Sequence, residues 1–485
     1  MKKLFCIISS ICIFGSVFAQ GDYEAFRFSQ TEYQGTARYM GAGGAFSATG
    51  GEFSALNSNP AAISLYKRNE VSFTPMTISF SKNSSNYFST STPTQSLKYT
   101  VPQIGIVCSQ RIENSNWNFW HFGFGYNRIV DYNNTFRVNG NTTVSMMQPI
   151  LNQANGTAYS FLTGDNLLAF NTWMIDTLPG MENQYYSNFD NAQLKQDAVI
   201  KTSGAIDEMS FTFGGNFSDK LYIGGTLGIP ILDYTERITY SETATEEDVV
   251  AKGITSFTTV SKQKNSGGGV NLKLGIIYQP VNFVRIGAAF QSPTYFWRIK
   301  DSYHREMISY YTNGKNSGVF DYDNAFDFSL STPLKCNIST AFLINKRAFV
   351  SAEYEFTDYS MANLYSDDYL FTGENEAISE KYGAVHTVKI GAEVNLSSKF
   401  AIRAGYNYKT SPYKLVDSIY NASAHYGSLG FGIHGKSFFF DLAYVLKYSN
   451  DSFWLYSTPA CSSSENAVLT SNTTHRIVAT VGCKF

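Results

Sequence analysis

The chain has 485 residues, of which 43% are hydrophobic, 16% charged and 16% aromatic, and its formal net charge is −2. That near-neutral balance gives no electrostatic basis for binding nucleic acid. A mean hydropathy of −0.18 beside so many aromatics fits neither a helical membrane protein nor a disordered chain. Beyond residue 20 no run approaches the roughly 18 apolar residues that cross a bilayer as a helix, which leaves a soluble all-β protein or a membrane β-barrel.

Taken from the N-terminus, Lys2 and Lys3 precede an apolar stretch from Leu4 to Val17, and Val17-Phe18-Ala19 offers a cleavage site before Gln20. Residues 1–19 therefore read as a signal peptide, and the chain as exported. Cys6 and Cys12 leave with it. Cys108, Cys336, Cys461 and Cys483 remain, too sparse and too widely spaced to form a disulfide framework. The next segment, 20–69, shows no alternation. It is rich in glycine (Gly35, Gly41, Gly43, Gly44, Gly50, Gly51) and ends in Asn59-Pro60-Ala61-Ala62-Ile63-Ser64-Leu65-Tyr66 followed by Lys67-Arg68. Asn59 favours turn initiation and Pro60 suits the first position of a short helix.

From residue 70 onward the pattern alternates with period two. Val388, Ile390, Ala392 and Val394 interleave with Lys389, Gly391, Glu393 and Asn395; Ile477, Ala479, Val481, Cys483 and Phe485 share the face opposite Arg476, Thr480, Gly482 and Lys484. Successive strand side chains point to opposite faces, so each segment has one greasy and one polar side. About fourteen strands follow, centred near 70–81, 97–110, 117–133, 203–217, 221–241, 256–279, 283–304, 325–344, 347–363, 384–396, 399–410, 424–434, 437–450 and 474–485. Short turns fall near 218–220, 279–282, 345–346, 396–399 and 435–436. Long polar loops fall near 82–96, 134–202, 242–255, 305–324, 364–383, 411–423 and 451–473. Alternating short and long connections belong to an outer-membrane barrel, tight on the periplasmic side and longer outside. Lipid leaves no water for an open sheet edge, so the sheet must close.

Asn59-Pro60-Ala61 with its apolar stretch, Lys67-Arg68, the upstream Gly35-Thr36-Ala37-Arg38, the glycines at 41–44, the strand count and the terminal Phe485 together resemble the FadL/TodX family of outer-membrane transporters for long-chain fatty acids and other hydrophobic compounds. Ala62 is a small departure, since glycine or leucine is usual there. The resemblance implies an all-β transmembrane antiparallel barrel over 70–485 in the outer membrane of a Gram-negative bacterium. Residues 20–69 would be a hatch in the lumen, carried by Gly35, Arg38, Gly43, Gly44, Asn59, Pro60 and Ala61. It further implies passage from an outer groove to an inner pocket, with sideways release through a gap beside a kinked strand. Burying an acyl chain gains roughly 0.8 kcal/mol per CH₂, which an aqueous exit would forfeit. Phe485 resembles the C-terminal aromatic signal read by the barrel assembly machinery. The expected partners are hydrophobic small molecules or lipids, together with outer-membrane lipid and lipopolysaccharide around a monomer.

The 134–202 segment supplies the candidate outer groove: Phe161, Leu162, Leu167, Leu168, Phe170, Trp173 and Met174. Such grease in an exposed loop suits adaptable apolar binding or a self-packed lid. Arg285, Lys335, Lys389 and Arg403 fall on the polar, lumenal face, where they either meet a carboxylate or pair with lumenal acids. No cofactor or metal is expected. The six histidines show no HExxH spacing, there is no GxSxG elbow, and Gly41-Ala42-Gly43 lacks the third glycine of a dinucleotide fingerprint. A barrel lipase would need a serine paired with a lipid-facing histidine; His121 and His434 could stand at the rim, but no serine partner stands out. A general diffusion porin and a barrel of the same family that shuttles secreted proteins remain as non-enzymatic alternatives.

Overall fold

The structure is a computed structural model that describes residues 21–187, 189, 193–244, 253–312, 314–320, 326–345, 347–414, 421–456 and 467–485. The signal-peptide reading and Cys461 lie outside them. Fourteen barrel strands are described. β1 is Glu70–Tyr87; β2 is Thr90–Thr100 continued by Gln103–Arg111; β3 is Trp117–Asp131 continued by Asn134–Thr142. β4 is Leu194–Phe217, β5 Leu221–Ala244 and β6 Ile254–Val281. β7 joins Val284–Gln291 to Tyr295–Tyr311; β8 joins Gly314–Phe320, Phe326–Ser331 and Lys335–Ile344; β9 joins Ala348–Asp358 to Asn363–Tyr365. β10 is Ala384–Asn395, β11 Phe400–Lys409, β12 Ala424–His434, β13 Phe438–Phe453 and β14 Val468–Lys484. Each pairs antiparallel with its sequence neighbours, and β14 pairs β1 from Glu70↔Lys484 to Asn86↔Leu469, which closes the ring.

Alternation decides which face meets lipid. On β5 and β6 the exposed positions near the short turns are Ile223, Leu227, Ile231, Leu272, Leu274 and Ile276. The residues between them, such as Thr226, Asn271 and Lys273, are buried toward the lumen. Tyrosine–histidine pairs mark the upper edge of this apolar belt on the opposite wall. The hydroxyls of Tyr354, Tyr406 and Tyr444 each sit 2.7 Å from Nδ1 of His386, His425 and His475 on the next strand. Aromatic rings with a polar handle collect at such interfaces.

The ladder is interrupted where proline falls. Proline cannot donate to it and is confined to edges and bulges. Pro75 sits in the β1 bulge between Phe73 and Met76; Pro102, Pro293 and Pro333 lie in the breaks of β2, β7 and β8.

Several loop expectations are corrected. The proposed loop at 82–96 is a continuation of β1 and β2, turned at Phe88 and Ser89, both with positive φ. Likewise 134–142 and 194–202 are paired strand, and most of the described part of 305–324 belongs to β7 and β8. These stretches rise above the lipid, where the outer face is polar, so the lipid-facing apolar positions stop although backbone pairing continues. The free thiols of Cys108 and Cys336 are exposed on the outer face, and Cys483 is half-buried.

Candidate functional site: a hatch, a cavity and a gap in the wall

Residues 21–66 fold into helix α1 (Asp22–Ser29), helix α2 (Ala37–Gly41) and two 3₁₀ turns, Phe53–Asn57 and Pro60–Leu65. They lie inside the ring. Asn59 is fully buried; its Oδ1 accepts from Ala61 N at 3.0 Å, and its Nδ2 donates to Ser47 O at 2.9 Å and to the strand carbonyl of Ile276 at 3.3 Å. Pro60 opens the turn as the first-position rule requires. Gly43 and Gly44 hold φ of 66° and 75°, a conformation that glycine adopts without a Cβ penalty.

The barrel makes room for this segment with lumen-facing glycines. A Cβ on Gly275 would stand 1.9 Å from Asn59 Oδ1, on Gly224 2.4 Å from Pro60 O, on Gly391 2.1 Å from Ala42 O, and on Gly405 2.1 Å from Gly43 N. Ion pairs then bolt the segment down. Arg38 grips Glu393 with Nε at 2.8 Å and Nη2 at 2.9 Å. Arg403, wholly buried, donates to Glu393 and Asp441 at 2.6 Å each. Of the other lumenal cations, Arg285 donates to Thr49 O at 2.7 Å, Lys389 pairs with Glu353 at 2.9 Å and Glu355 at 3.2 Å, and Lys335 donates to Thr31 Oγ1 at 3.0 Å. Lys335 lines a small cavity of about 150 Å³ beside the hatch.

Glu52 is buried in the hatch, accepting from Thr36 Oγ1 at 2.5 Å and Ser54 N at 3.2 Å. Burial pushes its carboxyl up to about 7, which those hydrogen bonds and Arg38 only partly oppose. The folded state therefore holds this proton more tightly than the unfolded chain. The resulting stabilisation is complete below the ordinary value of 4.5 and is lost as pH rises through about 7. Amide protection across 30–60, taken relative to the intrinsic exchange rate at each pH, is expected to be greater at pH 5.5 than at pH 8.5, with Glu52→Gln flattening the dependence. Equal pH dependence in the variant would exclude this group.

A cavity of about 1040 Å³ lies above the hatch. Tyr23 and Arg27 of α1, Lys98 and Thr100 of β2, Tyr132 and Tyr234 are in its wall. Glu32 sits at its edge with Lys447 and Arg476 each at 3.5 Å. Burial alone would raise the Glu32 carboxyl, but Lys447, Arg476 and Lys98 outweigh it and hold the group at about 2. Asp131 and Asp451 stand in the same wall, so the acids of the cavity answer its cations.

The cavity reaches the wall where pairing fails. β2 and β3 are bonded from Gln103↔Asn127 to Arg111↔Phe119, and Arg128 N still donates to Pro102 O at 2.8 Å. Above that point Thr90–Thr100 pairs with β1 and Asn134–Thr142 with β4. Further up the two segments run side by side, and Arg137 N donates to Thr94 Oγ1 at 3.2 Å. Thr100, Pro102, Val130 and Phe136 border the interval from the cavity side; Leu97 and Tyr99 flank it on the lipid side, 74% and 64% exposed. The clue in the sequence was Pro102 within a strand pattern, read there only as strand.

Helices α3 (Met147–Ala154) and α4 (Gly164–Asn171) form a lid on the strand extensions. Glu242 of β5 holds it, accepting from Met146 N at 2.7 Å and Ser145 Oγ at 2.5 Å. Of the candidate groove residues, Leu162, Leu168 and Met174 are buried in the lid core, with Leu167 and Phe170 packed partly against it. Phe161 and Trp173 are exposed, and Trp173 takes φ of 59° at the end of α4. None of the seven lines either cavity. His121 faces the lumen, its Nε2 2.8 Å from Tyr66 O, and His434 Nε2 lies 3.3 Å from Asp441. Neither stands on the lipid face where a lipase would need it. Phe485 ends the last strand with its side chain exposed and its N donating to Asn69 O at 3.1 Å.

A closed fourteen-strand barrel, filled by its own N-terminal segment and girdled by apolar side chains, defines an outer-membrane channel protein. A family profile described as outer membrane protein transport protein (OMPP1/FadL/TodX) matches residues 14–420, and the chain belongs to that family of hydrophobic-compound transporters. No curated protein sequence matches it. Among solved structures, a Pseudomonas aeruginosa FadL homologue is similar in fold, with 13% identity and a TM-score of 0.54 over 94% of this chain and 99% of that one. The Pseudomonas putida toluene transporter TodX gives 12% identity and a TM-score of 0.52 over 94% and 100%.

Proposed function

We propose that this protein takes hydrophobic molecules such as long-chain fatty acids or aromatic hydrocarbons from outside the cell and releases them sideways into the outer membrane. The supporting observation is the cavity of about 1040 Å³ that meets the unpaired interval between β2 and β3. A molecule leaving there passes from aromatic side chains to acyl tails without crossing water, so the transfer free energy of its apolar part is kept. In this reading residues 1–19 are removed on export, 20–69 act as the hatch, and Phe485 is read by the barrel assembly machinery. The outer face of the monomer then meets outer-membrane lipid and lipopolysaccharide. The exposed Phe161 and Trp173 are the remaining candidates for a first capture site. The hatch-filled lumen weighs against a general porin.

Filling the interval tests the route. Thr100→Trp combined with Val130→Trp is expected to slow uptake of a fluorescent fatty acid into proteoliposomes at least about tenfold, equivalent to ~1.4 kcal/mol of added barrier. Heat-modifiable gel mobility reports that the barrel has folded. Unaltered uptake by a folded variant would rule out this exit.

A further inference from the structure

The outward face carries a cluster of positive charge that transport does not use. Lys201 of β4 stands directly opposite Arg237 of β5, and Arg237 directly opposite Lys262 of β6. Lys264 follows two residues along on the same face. All four are exposed, and none forms an ion pair with an acid among the described residues. The nearest outward acids by register are Glu306, opposite Val260, and Asp233, opposite Ser266. Asp197 is occupied by Arg137 at 3.3 Å. Directly opposed like charges destabilise a strand pair, so three in a row on neighbouring strands call for an anion.

Their height says which anion. The last exposed apolar residue of β5 is Ile231, ten residues from Leu221 at the periplasmic end. The same level is marked on the far wall by His386, His425 and His475, each nine residues from its strand's periplasmic end. Arg237 lies six residues further out, about 15 Å above the apolar belt for a tilted strand. That is above the reach of acyl tails and at the level of the phosphorylated sugars of the outer leaflet.

We infer that Lys201, Arg237, Lys262 and Lys264 form a docking surface for the phosphate groups of lipopolysaccharide. The inference rests on the outer-membrane reading, but not on the transport route. Basic side chains beside an anionic lipid layer each strengthen binding, and together they hold one headgroup at several points. The anchored sugars would fix the barrel's rotation against its lipid neighbours on the β4–β6 side.

The test titrates detergent-purified full-length protein with phosphorylated lipopolysaccharide, with the same material after chemical dephosphorylation, and with phosphatidylglycerol. The combined Lys201→Gln, Arg237→Gln, Lys262→Gln and Lys264→Gln variant is expected to bind phosphorylated lipopolysaccharide roughly a hundredfold more weakly than the wild type. Dephosphorylation should weaken wild-type binding similarly. Lys201→Arg, Lys262→Arg and Lys264→Arg together should keep the affinity. Equal binding by the glutamine variant overturns the proposal, as does phosphatidylglycerol binding as tightly as lipopolysaccharide. Fatty-acid uptake in vesicles free of lipopolysaccharide is expected to be the same for wild type and glutamine variant. A wild-type failure there would strike the transport reading and leave this one standing.

Discussion

Replacing Glu393 by alanine is expected to lower barrel stability by about 3 kcal/mol, the lower end of the range for removing one partner of a buried ion pair. Glu393 is 4% exposed and is the one carboxylate gripped by both Arg38 of the hatch and Arg403 of β11. Its loss leaves Arg38 with Gly51 O but no acid, and Arg403 with Asp441 as its one remaining acid among the described residues. Arg38→Ala should cost much less, about 1 kcal/mol, since that side chain is 23% exposed and its attraction is screened. Denaturant unfolding of both variants in the same detergent checks the order. Equal losses would mean that the Arg403 side of the cluster carries no energy of its own. Native-state conductance should separate the two effects, because an unseated hatch opens the lumen to ions.

Leucine at Gly275 and Gly405 addresses the seat directly. Each new side chain would begin about 2 Å from hatch atoms, Asn59 Oδ1 in one case and Gly43 N in the other. Strands cannot yield without breaking their ladders, so the hatch must move. Overpacking of this kind costs about 1–3 kcal/mol per site. The double variant should fold, since its lipid face is untouched, yet pass small sugars in a liposome-swelling assay where the wild type is sealed. A sealed double variant would show that the hatch does not depend on these notches.

The barrel was legible where a strand has lipid on one side and lumen on the other. Val388, Ile390 and Val394 declare that boundary, and the same asymmetry marked β11 and β14. It vanishes along Lys82-Asn83-Ser84-Ser85-Asn86, which is bathed in water on its outer side and polar within, so a paired strand looked like a loop. Asn59 and Arg38 stood out in the sequence through their local motif. Their partners did not, because Glu393 and Gly275 are far away in sequence and ordinary in type. The glycines held a readable signal: Gly224, Gly275, Gly391 and Gly405 each occupy the lumenal parity of their strand. Alternation alone counts them merely as non-apolar. Leu162, Leu168 and Met174 show the limit of composition, since a binding groove and a self-packed lid draw on the same side chains. The cavity wall escaped because it is assembled from α1 and the separate strands β1 to β5, β13 and β14, with no motif shared among them.

The glycine notches also bear on how the molecule is made. Residues 21–66 are synthesised before any strand of the barrel, yet Ala37 N is held by Thr480 Oγ1 on β14 and Gly41 rests against Gly430 on β12. Its seat does not exist until the final strands have arrived. Closing the loop between residue 37 and residue 480 is among the longest-range events available to this chain, and such contacts form late. The leading end must therefore wait, unsecured, while the wall is built around it, and be enclosed by the same step that joins β14 to β1.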